Sequence, residues 1–535
     1  MNQMTPPPKL EIIPSSAPFS EAQRSWLNGF FAGLLSTDGP AMLSAEQGAA
    51  VLQGPSGDGD DGEAPWHDQT LPIAERMKLA EGRPLRRRMM AAMAQQDCGQ
   101  CGYNCHDYSD AIASKAEPRL NLCVPGGKET ARMLKALNEE LEKAPATSSA
   151  APAAVVPITP AVTVEPGRSR DNPVAATFLS RRLLNKTGSE KETWHIDFDL
   201  SGAGLDYVVG DSFGIFARNE LGLVDQIIAL LGASHTTEVR GKTLREVLID
   251  DVSLAPAPDT LFELLSFITG GAKREKARAL AQGEDPDGDA ATLDVMAALQ
   301  KFSGVRPHPE AFVEALEPLQ PRLYSISSSH NATPGKLSLT VDCVRYVIGK
   351  RKRLGLASTF LAERIEPGEE VKVYVQKAHG FALPQDPKVP IVMIGPGTGI
   401  APFRAFLLDR RATGAPGKNW LFFGHQRSSC DFFYADELNA MKTSGLLTRM
   451  SLAWSRDGDK KFYVQDRMRE VGRELWTWLA EGANIYVCGD AKRMAKDVER
   501  ALVDIVAQFG ARSTDEAVLF VADLKKKGRF QQDVY

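Results

Sequence analysis

The segment VPIVMIGPGTGIAPFRAFLLDRR (residues 389–411) constrains this chain more than any other. A continuous apolar run leads into Gly395, Gly397, Thr398 and Gly399, and a helical pattern follows. Such a run reads as a strand buried on both faces, which places it in a parallel sheet covered by helices. Three glycines at a strand-to-helix turn let the backbone come close to a phosphate, whose charge the amides and the helix start would hold. The same glycines also suit a tight turn that binds nothing, and the segment alone leaves both open. Further buried-strand runs (WLFFG, RMSLAW, NIYVCG) alternate with helices such as AKDVERALVDIVAQF, so 385–535 is expected to be one α/β domain.

The remainder of the 535 residues has a different character. Strand-like text (WHIDFDL, LYSIS, LSLTVDCVRYV, VKVYVQ) with an intervening helical stretch at about 219–320 predicts an antiparallel β-barrel with a helical insertion over 171–384. Residues 144–164 are rich in Ala and Pro without charge, so 144–170 reads as a semi-extended linker that tethers its neighbour with some freedom. Residues 71–143 are helical around a group of cysteines. Before them, FSEAQRSWLNGFFAGLLS (19–36) predicts an amphipathic helix, and an acidic Gly/Asp-rich linker fills out 1–70. The expected fold class is therefore multidomain: a small helical module, an antiparallel barrel and a parallel-sheet domain.

Composition narrows the function. A net charge of −5 with no basic tract argues against nucleic-acid binding. No apolar stretch is long enough to span a bilayer, and the start MNQMTPPPKLEIIP lacks a leader pattern, so a cytoplasmic protein is expected. Of seven cysteines, Cys98, Cys101, Cys105 and Cys123 are clustered, whereas Cys343, Cys430 and Cys488 are scattered. In a reducing compartment, clustering points to metal or cluster ligation rather than disulfides. Thiolates so spaced can hold a [4Fe–4S] core, with Gly99 and Gly102 admitting backbone amides to the sulfurs. A structural zinc site is the alternative for the same four residues.

PRLYSISSS (321–329) and RLGLASTFL (353–361) resemble the ferredoxin-NADP reductase superfamily. The resemblance implies that Arg322 pairs with the FAD pyrophosphate, that Tyr324 stacks on the isoalloxazine beside Leu323, and that Ser325 lies near its reactive nitrogen. It further implies that Gly355, Leu356, Ala357 and Ser358 take the pyrophosphate and that Thr340, Val341, Asp342 and Tyr346 line the site. Each role suits its residue: a guanidinium forks onto phosphate, and an aromatic ring covers a flat cofactor. Over 171–535, the phrases APGKNWLFFG, LAWSRD, KFYVQD and IYVCGDAKRMAKDVE and the ending QQDVY are similar to the flavoprotein (alpha) component of assimilatory sulfite reductase. By that resemblance Ser455, Arg456, Lys461, Tyr463, Gln465 and Asp497 bind NADPH, the first five around its 2′-phosphate. Ser325, Cys488, Asp533 and Tyr535 gather at the nicotinamide, with Tyr535 on the flavin face. The chain departs at Ala382, where the family usually has arginine, so that arginine's contacts are not implied here.

The cysteines, in DCGQCGYNC and CVPGG, resemble the four-cysteine iron–sulfur domain of bacterial electron-transport proteins. They depart from it in having three residues between Cys101 and Cys105. The sulfite reductase family usually carries a flavodoxin-like FMN domain ahead of its FAD module, and no text of that kind lies within 1–170. The resemblance thus implies electrons passing from NADPH through FAD and the cluster to a sulfite reductase hemoprotein. A nitrate or nitrite reductase, or another heme or iron–sulfur acceptor, is the sibling expectation, and a non-catalytic docking adaptor is the expectation of a different class. The 19–36 helix would serve partner docking or self-association.

Flavin released from the purified protein should run as FAD alone on chromatography; FMN in equal amount would refute this domain assignment.

Overall fold

The computed structural model describes residues 64–67, 71–96, 101, 103–123, 125–143, 165–378, 380–491 and 493–535. The expected helix at 19–36 and Cys98 lie outside the described residues.

Six antiparallel strands form the first sheet: β1 (Val174–Leu183), β2 (Thr193–Asp199), β3 (Ser212–Ile215), β6 (Arg322–Ser325), β7 (Lys336–Asp342) and β10 (Glu370–Gln376), in the order β6-β3-β10-β1-β2-β7. The edges meet, because Ile326 bridges Leu339 and Ser327 N–H donates to Ser338 O at 2.8 Å. Closure removes the exposed edges that an open sheet would present. Phe178, Ile196, Phe198, Phe213, Ile215, Leu337, Leu339, Val373 and Val375 fill the interior, all buried. Their alternation along each strand is the period-2 pattern that the sequence shows.

Between β3 and β6 the chain builds the helical insertion, with helices from Leu221–Leu231 to Pro309–Glu314. The insertion has its own core around Phe262, Phe302 and Phe312. It also holds a small hairpin, β4 (Glu238–Val239) with β5 (Lys242–Thr243), and a second hairpin, β8 (Arg345–Ile348) with β9 (Arg351–Leu354), follows β7.

The parallel sheet contains β11 (Ile391–Ile394), β12 (Asn419–His425), β13 (Arg449–Trp454), β14 (Asn484–Gly489) and β15 (Phe530–Val534), in the order β13-β12-β11-β14-β15. The chain runs outward from β11 through β12 to β13, then crosses back to β14 and β15. The order therefore reverses between β11 and β14, and ligands of such sheets bind at the carboxyl ends of the strands beside that reversal. Helix Met494–Phe509 covers one face through Ala495, Val498, Ala501, Leu502, Ile505 and Val506, the three-and-four spacing of a single apolar stripe. β15 is the strand the sequence did not announce: FQQDV is mostly polar and only Phe530 and Val534 are buried in it.

Helices Ile73–Leu79, Leu85–Ala92, Cys105–Ala113 and Gly127–Lys143 surround the cysteines. Asn104 caps the third, its side chain accepting from Asp107 N–H at 2.7 Å. The module rests on the reductase body through charge. Arg132 forks onto both oxygens of Asp259, at 2.8 and 2.9 Å, and Arg119 bridges Asp171 at 3.0 Å.

Tyr374 shows how closely β3 and β10 meet outside the barrel: an ideal Cβ on Gly214 would lie 2.1 Å from its ring. Gly214→Ala should therefore cost about 1–3 kcal/mol of stability by overpacking, measured as a lower urea midpoint; an unchanged midpoint would show that the ring moves freely.

Candidate functional site

Gly395 and Gly399 shape the turn after β11 by what they lack. An ideal Cβ on Gly395 would lie 2.3 Å from Gly399 O, and one on Gly399 would lie 2.1 Å from Cys488 O. Gly397 adopts φ +59°, a left-handed conformation that favours glycine. The ends of β11 and β14 are thereby pressed together, with helix Ile400–Ala412 starting at the same place.

β15 extends this junction by pairing in parallel with β14, Cys488 opposite Asp533. Asp533 in turn reaches the barrel. Ser325 Oγ, at the end of β6, donates to Asp533 Oδ2 at 2.6 Å, and Cys488 Sγ lies 3.7 Å from the same oxygen. Burial raises the Asp533 carboxyl above its ordinary value, opposed by these two hydrogen bonds, and raises the Cys488 thiol further. Tyr535 follows directly. Its N–H donates to Gly489 O at 3.0 Å, its carbonyl accepts from Ala491 N–H at 3.1 Å, and its hydroxyl lies 2.8 Å from Thr398 Oγ1. Ser325, Cys488, Asp533, Tyr535 and the glycine turn, far apart in the chain, form one cluster.

Beside it, β6 carries Arg322, Leu323 and Tyr324, all half-buried. Arg322 donates only to Pro321 O, at 3.4 Å, and has no carboxylate partner among the described residues. Desolvation lowers its pKa, the sign of a guanidinium held out of water without an anion. Gly355 N–H donates to Val344 O at 2.8 Å and Val344 N–H to Ser358 Oγ at 3.1 Å, which folds Gly355, Leu356, Ala357 and Ser358 against the connection between β7 and β8. The neighbouring side chains are engaged elsewhere. Thr340 Oγ1 lies 2.6 Å from Tyr434 OH, Val341 is in the barrel core, and Asp342 accepts from Thr193 at 3.1 Å. Tyr346 is 50% exposed on the β8 hairpin. Ala382 contributes main chain alone, its N–H donating to Gln531 at 2.9 Å and its carbonyl accepting from Tyr486 OH at 2.8 Å.

The charged loop follows β13. Ser455 N–H donates to His425 O at 2.9 Å and Arg456 N–H to Gln426 O at 2.8 Å. The Arg456 side chain pairs with Glu190, from the barrel, and Lys461 has no ion pair among the described residues. Tyr463 stands at the start of helix Val464–Glu470, with Gln465 in its first turn. Asp497 accepts from Arg500 at 3.4 Å on helix Met494–Phe509 and makes no bond to this loop. His425 and Gln426, whose carbonyls hold this loop, were not singled out by sequence reasoning. The signal was present, since they end a buried strand of a parallel sheet, where ligands bind.

In the cysteine module, Cys101, Cys105 and Cys123 are buried, unbridged by disulfides, and line one small, largely apolar pocket. An ideal Cβ on Gly126 would lie 3.1 Å from Cys123 Sγ, so glycine there gives the sulfur room. Burial raises the thiol of Cys123 and pushes that of Cys101 up to about 11, so both are protonated unless a metal takes the proton's place. Among the described residues, no three Cys, His, Asp or Glu side chains close on a single-ion geometry.

Residues 166–298 and 288–360 match the FAD binding domain family, and residues 393–500 match the oxidoreductase NAD-binding domain family. The chain is 42% identical over 371 residues to the sulfite reductase [NADPH] flavoprotein alpha-component of Photorhabdus laumondii. It is 43% identical over 377 residues to that of Escherichia coli O1:K1 and 42% over 377 to that of Klebsiella pneumoniae. Each alignment covers 69% of this chain and 61% of the relative, so the chain spans about three fifths of the length of the relatives it matches. No helix among the described residues is long and apolar enough to cross a membrane.

The raised pKa of Asp533 has a signed consequence. A carboxyl whose folded pKa exceeds its unfolded value binds more protons when folded, so its contribution is full below the unfolded pKa and is lost as pH climbs through the folded one. Asp533→Asn should therefore gain stability relative to the native protein on going from pH 4 to pH 7 in chemical denaturation. A constant difference between the two proteins would place Asp533 in contact with water.

Proposed function

We propose that this chain is an NADPH-dependent flavoprotein reductase that delivers electrons through a cysteine-held iron–sulfur cluster to a sulfite reductase hemoprotein. The observation that carries the reading is the 2.6 Å contact between Ser325 and Asp533 at the reversal of the parallel sheet. It joins the end of an FAD-domain strand to the carboxyl end of a nucleotide-domain strand, so a flavin against β6 and a nicotinamide at the glycine turn would meet there. Flavin supplies a hydride acceptor that can release electrons singly, which an iron–sulfur cluster can take.

The side chains bind and orient. Arg322, without an anion of its own, suits the FAD pyrophosphate, and Tyr324 offers a ring for stacking. Arg456 and Lys461 suit the 2′-phosphate, since the exposed Arg456–Glu190 pair contributes only about 0–1 kcal/mol and yields readily to a dianion. Ser325 keeps its proton directed at Asp533 until a ligand arrives. Tyr535 is 50% exposed and tied to Thr398, so a nicotinamide entering over the turn displaces it.

Three buried thiols lining one pocket, with Cys98 as a fourth cysteine of the same motif, support a cysteine-held iron–sulfur cluster, with a structural zinc as the alternative. The named relatives support a sulfite reductase hemoprotein as the electron acceptor. Purified enzyme reducing nitrite or nitrate reductase in preference to the sulfite enzyme would reassign the acceptor.

Anaerobically purified protein should contain iron and acid-labile sulfide, both lost in Cys101→Ser; stoichiometric zinc without sulfide would refute the cluster. Tyr535→Ala should tighten both nucleotides and raise NADH turnover more than NADPH turnover, because stacking worth about 0.5–1.5 kcal/mol no longer opposes the incoming ring and NADPH alone had 2′-phosphate binding energy to offset it. Steady-state rates decide this, and an unaltered NADPH/NADH ratio would remove Tyr535 from the site.

A further inference from the structure

His425 ends β12 and lies between two features assigned above, the Gly397 turn and the Ser455–Lys461 loop. Its carbonyl accepts from both Ser455 N–H, at 2.9 Å, and Ser455 Oγ, at 3.3 Å, so the charged loop starts from it. Its ring faces the other way. An ideal Cβ on Gly397 would lie 3.8 Å from His425 Cδ2 and 4.0 Å from Nε2, which puts that edge of the imidazole against the glycine turn.

The ring is held from behind. Phe433 packs on it at a centroid distance of 4.9 Å. Nδ1 lies 2.8 Å from Gln426 N; in the tautomer that accepts this bond the neutral ring carries its proton on Nε2. Burial drives the ring toward that neutral form, against the pull of the Asp431 carboxylate 3.4 Å from Nδ1. Asp431 is itself fixed by the barrel, accepting from Asn185 at 2.8 Å and from Ser189, and by Arg427 N–H at 3.0 Å. The side chain is only 10% exposed, yet among the described residues Nε2 has no partner. Nε2 is not among the sealed polar atoms, so it opens at the mouth of the glycine turn, where a ligand can reach it.

Resting on the NADPH reading, we propose that His425 is a binding and specificity residue of the nucleotide site, its Nε2–H donating to the dinucleotide's diphosphate where it crosses the Gly397 turn. The nicotinamide end is set by Cys488, Asp533 and Ser325 and the 2′-phosphate end by Arg456 and Lys461, so the part of the ligand passing His425 is the diphosphate between them. This donor distinguishes a dinucleotide from an adenosine 2′-phosphate that ends at the ribose.

The test uses the full chain with FAD bound and titrates two probes, NADP⁺ and 2′-AMP, the second lacking the diphosphate. His425→Phe fills the space of the ring without a donor, His425→Ala removes both, and His425→Gln restores an N–H. Phe and Ala should weaken NADP⁺ about ten- to a hundredfold, the range of a charge-assisted hydrogen bond, and leave 2′-AMP unchanged, whereas Gln should recover most of the NADP⁺ affinity. Using two donor-free variants keeps the comparison if one loses its flavin. Equal weakening of both probes, unchanged NADP⁺ binding, or a Gln variant as weak as Phe overturns the role of His425 while leaving the NADPH site in place. A native protein that binds neither probe overturns the NADPH reading, and this proposal with it.

Discussion

The carbonyl oxygen of Cys488 lies 2.1 Å from where a side chain on residue 399 would begin. That missing Cβ lets the ends of β11 and β14 converge, and the rest of the site follows from the convergence. Cys488 is brought beside the glycine turn, its parallel neighbour Asp533 beside Cys488, and Ser325 of the barrel onto Asp533. One steric allowance thus sets where two domains with separate cores present their reactive edges to each other.

The charges around this junction are arranged for anions that the polypeptide does not itself supply. Arg322 and Lys461 have no carboxylate partner among the described residues, and Arg456 has only an exposed one. Asp533 has hydroxyl and thiol neighbours but no cation, which is why burial raises its pKa instead of a neighbour lowering it.

The cysteine module connects to the same body by ionic contacts, Arg132 on Asp259 and Arg119 on Asp171, rather than by a shared apolar core. Charged contacts of this exposure hold geometry at little net cost and weaken with salt. Its own interior is apolar around three thiols, an environment that disfavours free thiolates.

The sequence by itself made most of the elements legible and singled out Ser325, Cys488, Asp533 and Tyr535, which the fold brings into one cluster. Period-2 alternation marked the barrel strands, continuous apolar runs marked β11 to β14, and Gly395, Gly397 and Gly399 could be read directly, because those signals are local: a side chain's face and a backbone's freedom depend on near neighbours. β15 was not legible, since FQQDV is largely polar and becomes a strand only by pairing with β14. Nor were the partners of Thr340, whose hydroxyl meets Tyr434, or of Arg456, which meets Glu190 across the domain boundary. His425 carried no motif; its ring meets the Gly397 turn only because β12 ends level with that turn and Gln426 and Asp431 hold it there. Such contacts join residues far apart in the chain, and no local propensity encodes the close approach that tertiary packing alone enforces.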